Sequence, residues 1–334
     1  MKIGKVTETV LKRSVFKQIR HRRNEVLVRP GVGKDCSVVA LNEDEVMVLS
    51  TDPITGTIKD IGTLAIHVTA NDIACSGAEV IGVMLTILLP CKSSEPELKR
   101  LIQDMEAECE KLNIEIMGGH TEYSAAVTQP IVTVTGVGKI KKSDMMSSKN
   151  VKPGQEIVMT KWAGLEGTAI LAKEKENELK ERYAASFLEE AKNLIQYISI
   201  VPEASICKDL NVAVMHDVTE GGIFGALWEI AEAANVGLLV DLSQIPLKQE
   251  TIEISEFFDL NPYMLISSGS LLVVTENANN VVEELEKNGI KASVIGRITE
   301  GHDRIVFNED ENRYLQPAKS DELYKVTVQE NRIY

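Results

Sequence analysis

The chain lacks a long hydrophobic run. Its longest apolar stretch, Val80 to Leu89, is about half of a membrane span, so no spanning helix is expected. The first residues show no apolar core and no small-residue cleavage site, which argues against a secretory leader and for the cytoplasm. Cysteine is sparse. The five residues (Cys36, Cys75, Cys91, Cys109 and Cys207) include no C-x-x-C pair and are odd in number, so neither a zinc site nor a disulfide framework is indicated. Positive charge is also short: 36 Lys and Arg stand against 50 Asp and Glu, a net charge of −14 over 334 residues. That field repels nucleic acid. An anionic ligand would need a local counter-charge, such as a bound divalent cation. Classical nucleotide signatures are missing. Pro30-Gly31-Val32-Gly33-Lys34 does not complete a P-loop, and neither G-x-G-x-x-G nor G-x-S-x-G occurs. Aromatic residues make up only 4% of the chain, but 44% hydrophobic content without low-complexity tracts excludes a disordered chain.

What is present is an alternation of strands and helices in two halves. Val10 to Arg23 is a basic amphipathic segment. Cys36–Leu41 and Val46–Ser50 read as a hairpin around the polar turn Asn42–Glu45. Leu64–Cys75 reads as a helix of small and apolar residues, and Val80–Leu89 as a buried strand. Ser94, with Glu97 three residues on and Pro96 in the first turn, opens a helix that runs to about Leu112. Ile114–Met117 is a short strand ending at a glycine pair, and Ile131–Ile140 alternates as a strand. The polar stretch Lys141–Gln155 is the expected boundary, giving domains 1–145 and 155–310, with 311–334 as a peripheral tail. In the second half, strands are expected at Glu156–Thr160, Val212–Met215, Leu238–Asp241, Ser270–Thr275 and, last, Lys291–Ile298. Helices are expected within Glu174–Ile198 and at Ile223–Ala234 and Asn279–Asn288.

Four clusters are candidates for chemistry. With the hairpin turn centred between Glu43 and Asp44, Asp35 falls opposite Asp52. Facing carboxylates are tolerated when solvated and splayed, or when a cation such as Mg2+ lies between them. Asn71 and Asp72 lie on a helix face otherwise apolar or small, where an ionised carboxylate needs a partner or a metal; a satisfied polar pair is the alternative. Gly118-Gly119-His120-Thr121-Glu122 follows a short strand. Its glycines would expose N–H groups to phosphate, and His120 with Glu122 form a possible acid/base or ligand pair; a plain turn is the alternative. Asp217-Val218-Thr219-Glu220-Gly221-Gly222 joins a strand to a helix, where α/β folds bind anions. An ordinary capped helix start is the alternative there.

In order along the chain, PGVGKDCSVV, LSTDPITG, VTANDIACSGAEV, IMGGHTEY, HDVTEGGIFGAL and LISSGSLLVV resemble the AIR synthase superfamily, nearest to its HypE-like, AIR-synthase-related group. The resemblance spans roughly residues 26–300. It implies an N-terminal α+β domain whose sheet pairs with a second subunit's into a barrel, and a C-terminal α/β domain. It also implies a homodimer binding ATP and Mg2+ in a cleft. Carried over by motif, Asp35, Asp52, Asp72, Asp217 and Glu220 are metal or phosphate ligands. Gly33, Lys34, Asn71, Gly118, Gly119, Thr121, Thr219, Gly221 and Gly222 would line the nucleotide, and His120 and Glu122 are the catalytic candidates. Lys12, Arg13, Lys17 and Arg20 to Arg23 are further phosphate candidates.

Two departures stand out. His120 replaces an acidic residue of the family, and the sequence closes on Asn-Arg-Ile-Tyr without the terminal cysteine of HypE. The expectation is therefore an ATP-dependent enzyme that activates an oxygen of an unidentified small substrate by phosphoryl transfer. Alternatives are a small-metabolite kinase resembling thiamine-monophosphate kinase, supported by D-V-T-E-G, and a non-catalytic nucleotide-binding accessory protein.

Overall fold

The computed structural model describes residues 9–10, 12, 15–16, 24–28, 31–34, 36–55, 57, 59–309 and 311–327. The chain divides into two units. One is Arg22–Arg29 with Asp35–Met145. The other is Met146–Tyr334 with Met1–His21 and Pro30–Lys34. Among the described residues no helix is long and apolar enough to cross a membrane.

The 35–145 unit carries β1 (Val26–Val28), β2 (Ser37–Ala40), β3 (Glu45–Ile54), α1 (Ile61–Cys75), β4 (Glu79–Pro90), α2 (Glu95–Leu112), β5 (Glu115–Ser124) and β6 (Ile131–Lys141). Its six-stranded sheet has the order β1-β2-β3-β6-β4-β5 and is antiparallel except for the β4–β5 pair. Helix α1 is wedged between the sheet and α2. That position explains a helix apolar on nearly all sides, because a helix covered all round gains nothing from a polar face. Close approach is built into the sequence. A Cβ at Gly136 or Gly138 of β6 would lie 2.6 and 2.4 Å from Ile73 side-chain atoms, and one at Gly62 would lie 3.1 Å from Met105 of α2.

Helix α2 starts as expected. Both halves of the Ser94–Glu97 capping box form, Pro96 lies in the first turn, and Asn113 ends the helix in the left-handed region. Leu101, Met105 and Cys109 are its buried stripe.

Three expectations are corrected. The hairpin register is one residue away from the expected one: Ala40, not Leu41, lies opposite Val46. The cause is Asn42, whose Oδ1 accepts from the N–H groups of Asp44 and Glu45, both at 2.8 Å. This side-chain turn moves the centre of the loop. Next, β4 is not buried on both faces. Ile81, Met84 and Thr86 are exposed, because helices cover only one side of this sheet. Finally, the strand does not end at the Gly118-Gly119 pair. Strand β5 runs through it to Ser124, with Met117 as an extra, bulged residue.

The 146–334 unit contains β7 (Glu156–Thr160), α3 (Leu165–Glu174), α4 (Ala185–Asn193), α5 (Val201–Cys207), β8 (Val214–Asp217), α6 (Gly222–Ala234), β9 (Gly237–Asp241), α7 (Gln249–Phe257), β10 (Leu271–Thr275), α8 (Ala278–Lys287), β11 (Ala292–Thr299), β12 (Arg304–Asn308) and β13 (Glu311–Tyr314). The seven-stranded sheet has the order β13-β12-β9-β11-β7-β10-β8, with β9–β12 the parallel pair. β7 and β10 are buried along nearly their whole length, as strands with both faces covered must be. Ile157, Met159, Leu272 and Val274 pack against Ile223, Leu227 and Ile230 of α6.

The expected last strand at 291–298 is followed by two more. The tail from 311 is not peripheral either: after β13 the chain returns to the unit, and Asp321, Glu322 and Leu323 are buried. Its contacts are described with the site below.

Polar contacts centred on Glu108 join α1 to α2, with the Thr63 hydroxyl donating to it at 3.4 Å. Buried His67 lies 3.0 Å from Glu108 through Nε2, and Lys111 reaches the same carboxylate at 2.9 Å. The His67 hydrogen bond, assisted by Lys111 and opposed by burial, holds the Glu108 carboxyl at about 2. A lowered carboxyl contributes stability above its unfolded pKa, and that contribution is lost as pH falls from about 4.5 toward about 2. Glu108→Gln should therefore cost about 1–3 kcal/mol at neutral pH. In urea unfolding, the gap from the parent should close as the buffer is acidified; a gap independent of pH would contradict the assignment.

Candidate functional site

In the 35–145 unit, alternation along β3 puts Val46, Val48, Ser50 and Asp52 on the helix-covered face. Helix α1 brings Asn71 and Asp72 down onto the same face, where both are buried. The Ser50 hydroxyl is shared between two carboxylates: it lies 2.5 Å from Asp72 Oδ2 and 3.2 Å from Asp52 Oδ2. The Cys36 thiol donates to the backbone oxygen of Asp72 at 3.2 Å. Asp52 thus shares Ser50 with Asp72, while the expected pairing of Asp35 with Asp52 lies outside the described residues. Ser50 was missed, although the period of two from Val46 to Asp52 marks it.

The glycine segment divides between faces. Gly118, His120 and Glu122 pair with Met84, Thr86 and Leu88, whereas Gly119 and Thr121 pair with Leu85 and Ile87. His120 and Glu122 therefore point to the open face, and Thr121 to the side of Asp52 and Asp72. His120 Nε2 lies 3.2 Å from Glu122 Oε2, and both side chains are exposed. Gly119 is required by packing: a Cβ there would fall 2.0 Å from the Leu85 carbonyl oxygen, at a φ of 152°.

In the other unit, Asp217 ends β8 and is buried, while Thr219 and Glu220 are half-buried. Gly221 and Gly222 have φ of 87° and 60°, and Gly221 is the N-cap of α6, without a side-chain cap. The close partners of Gly222 are the backbone oxygens of Tyr263 and Leu265. Gly33 packs against α6, where a Cβ would meet the Glu229 carbonyl oxygen at 2.8 Å; this gives it a structural reason apart from any ligand. Lys34 is exposed, in a bridge with Gly31. Lys12, expected to reach phosphate, is paired with Glu232 at 2.6 Å. Arg13, Lys17 and Arg20 to Arg23 lie outside the described residues.

Residues that sequence reasoning missed surround this turn. Asp321 Oδ2 accepts from Gly221 N–H at 2.7 Å, and its Oδ1 accepts from Leu323 N–H at 2.8 Å. Burial raises Asp321 to about 7, against hydrogen bonds from the backbones of Leu323, Gly221 and Ile266. Glu166, fully enclosed in the first turn of α3, accepts from Ser268 N–H at 3.2 Å. Burial raises it to about 8, with Ser268 opposing and Glu220 and Asp321 adding to the shift. Neither residue belongs to a motif, and Asp321 is 100 residues from its partner.

The fit to Mg2+ is chemical: Asp52 and Asp72 offer hard oxygens side by side. Among the described residues no group of three or more His, Cys, Asp or Glu side chains is placed to hold a metal, so the pair would supply only part of a coordination shell.

With an acidic pair under the helix-covered face of one unit and a strand–glycine–helix turn in the other, the chain belongs to the AIR synthase related proteins. The N-terminal domain model of that family matches residues 33–140, and the C-terminal domain model matches residues 152–308. Its two sheet-bearing units have the expected mixed fold. It is similar to a putative hydrogenase expression/formation protein of Methanocaldococcus jannaschii, 24% identical over 316 residues and covering 91% of each chain. It is 26% identical over 254 residues to the carbamoyl dehydratase HypE of Cupriavidus necator, covering 74% of this chain and 70% of that one. A solved structure of hydrogenase maturation protein HypE in complex with ATP superposes with a TM-score of 0.69 at 19% identity, over 96% of this chain and 97% of that one.

Because the folded Glu166 pKa lies above the unfolded one, its contribution to stability is complete below about 4.5 and is lost as pH rises through about 8. Thermal melts of Glu166→Gln should show a flatter decline than the parent between about pH 5 and about pH 9. Parallel profiles would refute the buried, protonated state.

Proposed function

We propose that the protein is an ATP-dependent enzyme that activates a carbonyl, amide or phosphate oxygen of a small substrate by phosphoryl transfer. The observation that carries this reading is the convergence of Asp52 and Asp72 on the Ser50 hydroxyl. Two carboxylates held that close, one of them under an apolar helix, make a cation-binding pair. The carbamoyl dehydratase relative and the ATP-bound HypE structure support the nucleotide part of the reading.

In this reading Asp52 and Asp72 hold Mg2+. When bound, the ion supplies neutralisation of phosphate charge. Ser50 fixes the spacing of the two carboxylates, and Asn71 accompanies Asp72 on α1. Thr121, on the same side of the sheet, offers a hydroxyl to the nucleotide. Asp217 and Glu220 are the acidic residues of the second unit, and Gly222 lets the start of α6 run close to the 263–265 backbone.

His120 and Glu122 form an acid/base pair on the open face. The same face exposes Ile81, Met84 and Met117. An apolar strand surface of this kind is suited to burial against a second copy of the chain, which supports a homodimer.

Calorimetric titration with ATP and MgCl2 tests the proposal. Saturable binding is expected, and Asp52→Asn and Asp72→Asn should each weaken it at least about tenfold. No heat of binding, or unchanged affinity in both variants, would sink it.

A further inference from the structure

The 146–334 unit contains a cavity of about 990 Å3. It lies beside the start of α6 and is walled by the β12–β13 hairpin and the returning chain after it. That volume is at the upper end of the range of small-molecule sites.

Its walls are fastened. Asp321 ties the returning chain to Gly221, Glu322 Oε2 accepts from Asn261 N–H at 2.9 Å, and Leu323 is buried. Among the lining residues, Phe224 and Tyr263 stack on each other with centroids 5.4 Å apart and planes 11° apart, so the wall carries a pair of aromatic rings. Tyr314, on the hairpin wall, is 67% exposed, an unusual position for an aromatic side chain in a chain so poor in them.

The polar groups narrow the ligand further. Asp321 and Glu322 already accept backbone N–H groups. Arg313 is paired with Glu311 at 2.9 Å, and Lys325 with Glu322 at 2.6 Å. That leaves Lys319 as the lining cation without an ion pair among the described residues. The hydroxyls of Tyr263 and Tyr324 also make no hydrogen bond there. A polyphosphate would need more uncommitted positive charge, and a metal ion would need carboxylates that are already engaged.

We infer that this cavity binds a small acid with a flat unsaturated ring and a single negative charge, its ring against the aromatic surfaces and its acid group toward Lys319. The inference rests on the proposed enzymatic reading, for which such an acid is the substrate class.

Ligand-observed NMR titrations of the full chain with naphthoate, and with its saturated analogue decalin carboxylate, provide the test. Naphthoate should bind saturably and at least about tenfold more tightly than the saturated acid. Lys319→Glu, at an exposed position, should abolish the binding while leaving the thermal melt of the chain unchanged. Tyr263→Ala should weaken it, and Asp72→Asn should leave it unchanged. No naphthoate binding, equal binding of the saturated acid, or indifference to Lys319→Glu would overturn the inference. ATP titration of the same samples reports on the proposed function separately, so the two can fail independently.

Discussion

A carboxylate placed under an apolar helix must be compensated where it lies, and Asp72 imposes that condition on the whole 35–145 unit. Helix α1 is covered by the sheet on one side and by α2 on the other. Gly136 and Gly138 of β6 keep no side chain, so the helix can descend to contact. That descent brings Asp72 to the Ser50 hydroxyl and removes it from bulk water. Burial of an isolated charge is costly, and the neighbouring Asp52 adds repulsion rather than relief. The Ser50 hydroxyl, shared between the two carboxylates, is one of the groups that lower this cost. A hard cation between the two carboxylates would relieve their repulsion, which is the role proposed for the pair.

The 146–334 unit solves a related problem by the opposite means. At the Gly221-Gly222 turn, the positive end of α6 meets an internal carboxylate from the returning chain. Asp321 and Glu166 are so enclosed that burial pushes both toward their protonated forms. The acidic excess of the chain is therefore not spread evenly in effect. Part of it is gathered at Asp52 and Asp72, and part is enclosed in the interior, where burial disfavours its charge.

Legibility in the sequence followed the range of the interactions. Helix α2 could be read from Ser94, Pro96, Glu97 and Leu112, because its cap closes within four residues. Asp72 could be read because no other formal charge lies between Asp60 and Glu79. The hairpin register could not be read, since a single side-chain turn at Asn42 moves it by one residue. The glycine pair in β5 looked like the end of a strand because its true demand, close approach to Leu85 across the sheet, is non-local. Asp321 was illegible for the same reason, as its partner lies 100 residues earlier. The exposed face of β4 was hidden by composition: an apolar run does not tell whether a helix or a second chain covers it.

The account turns on Asp52 and Asp72 acting as one cation-binding unit. Electron paramagnetic resonance titration with Mn2+ in the presence of ATP, on the parent, Asp52→Asn, Asp72→Asn and the double variant, measures this directly. The account predicts a tight, nucleotide-dependent Mn2+ site whose loss in either single variant is about as great as in the double, because a shared ion leaves when either carboxylate does. Mn2+ binding that survives both single substitutions, or losses that simply add, would contradict it.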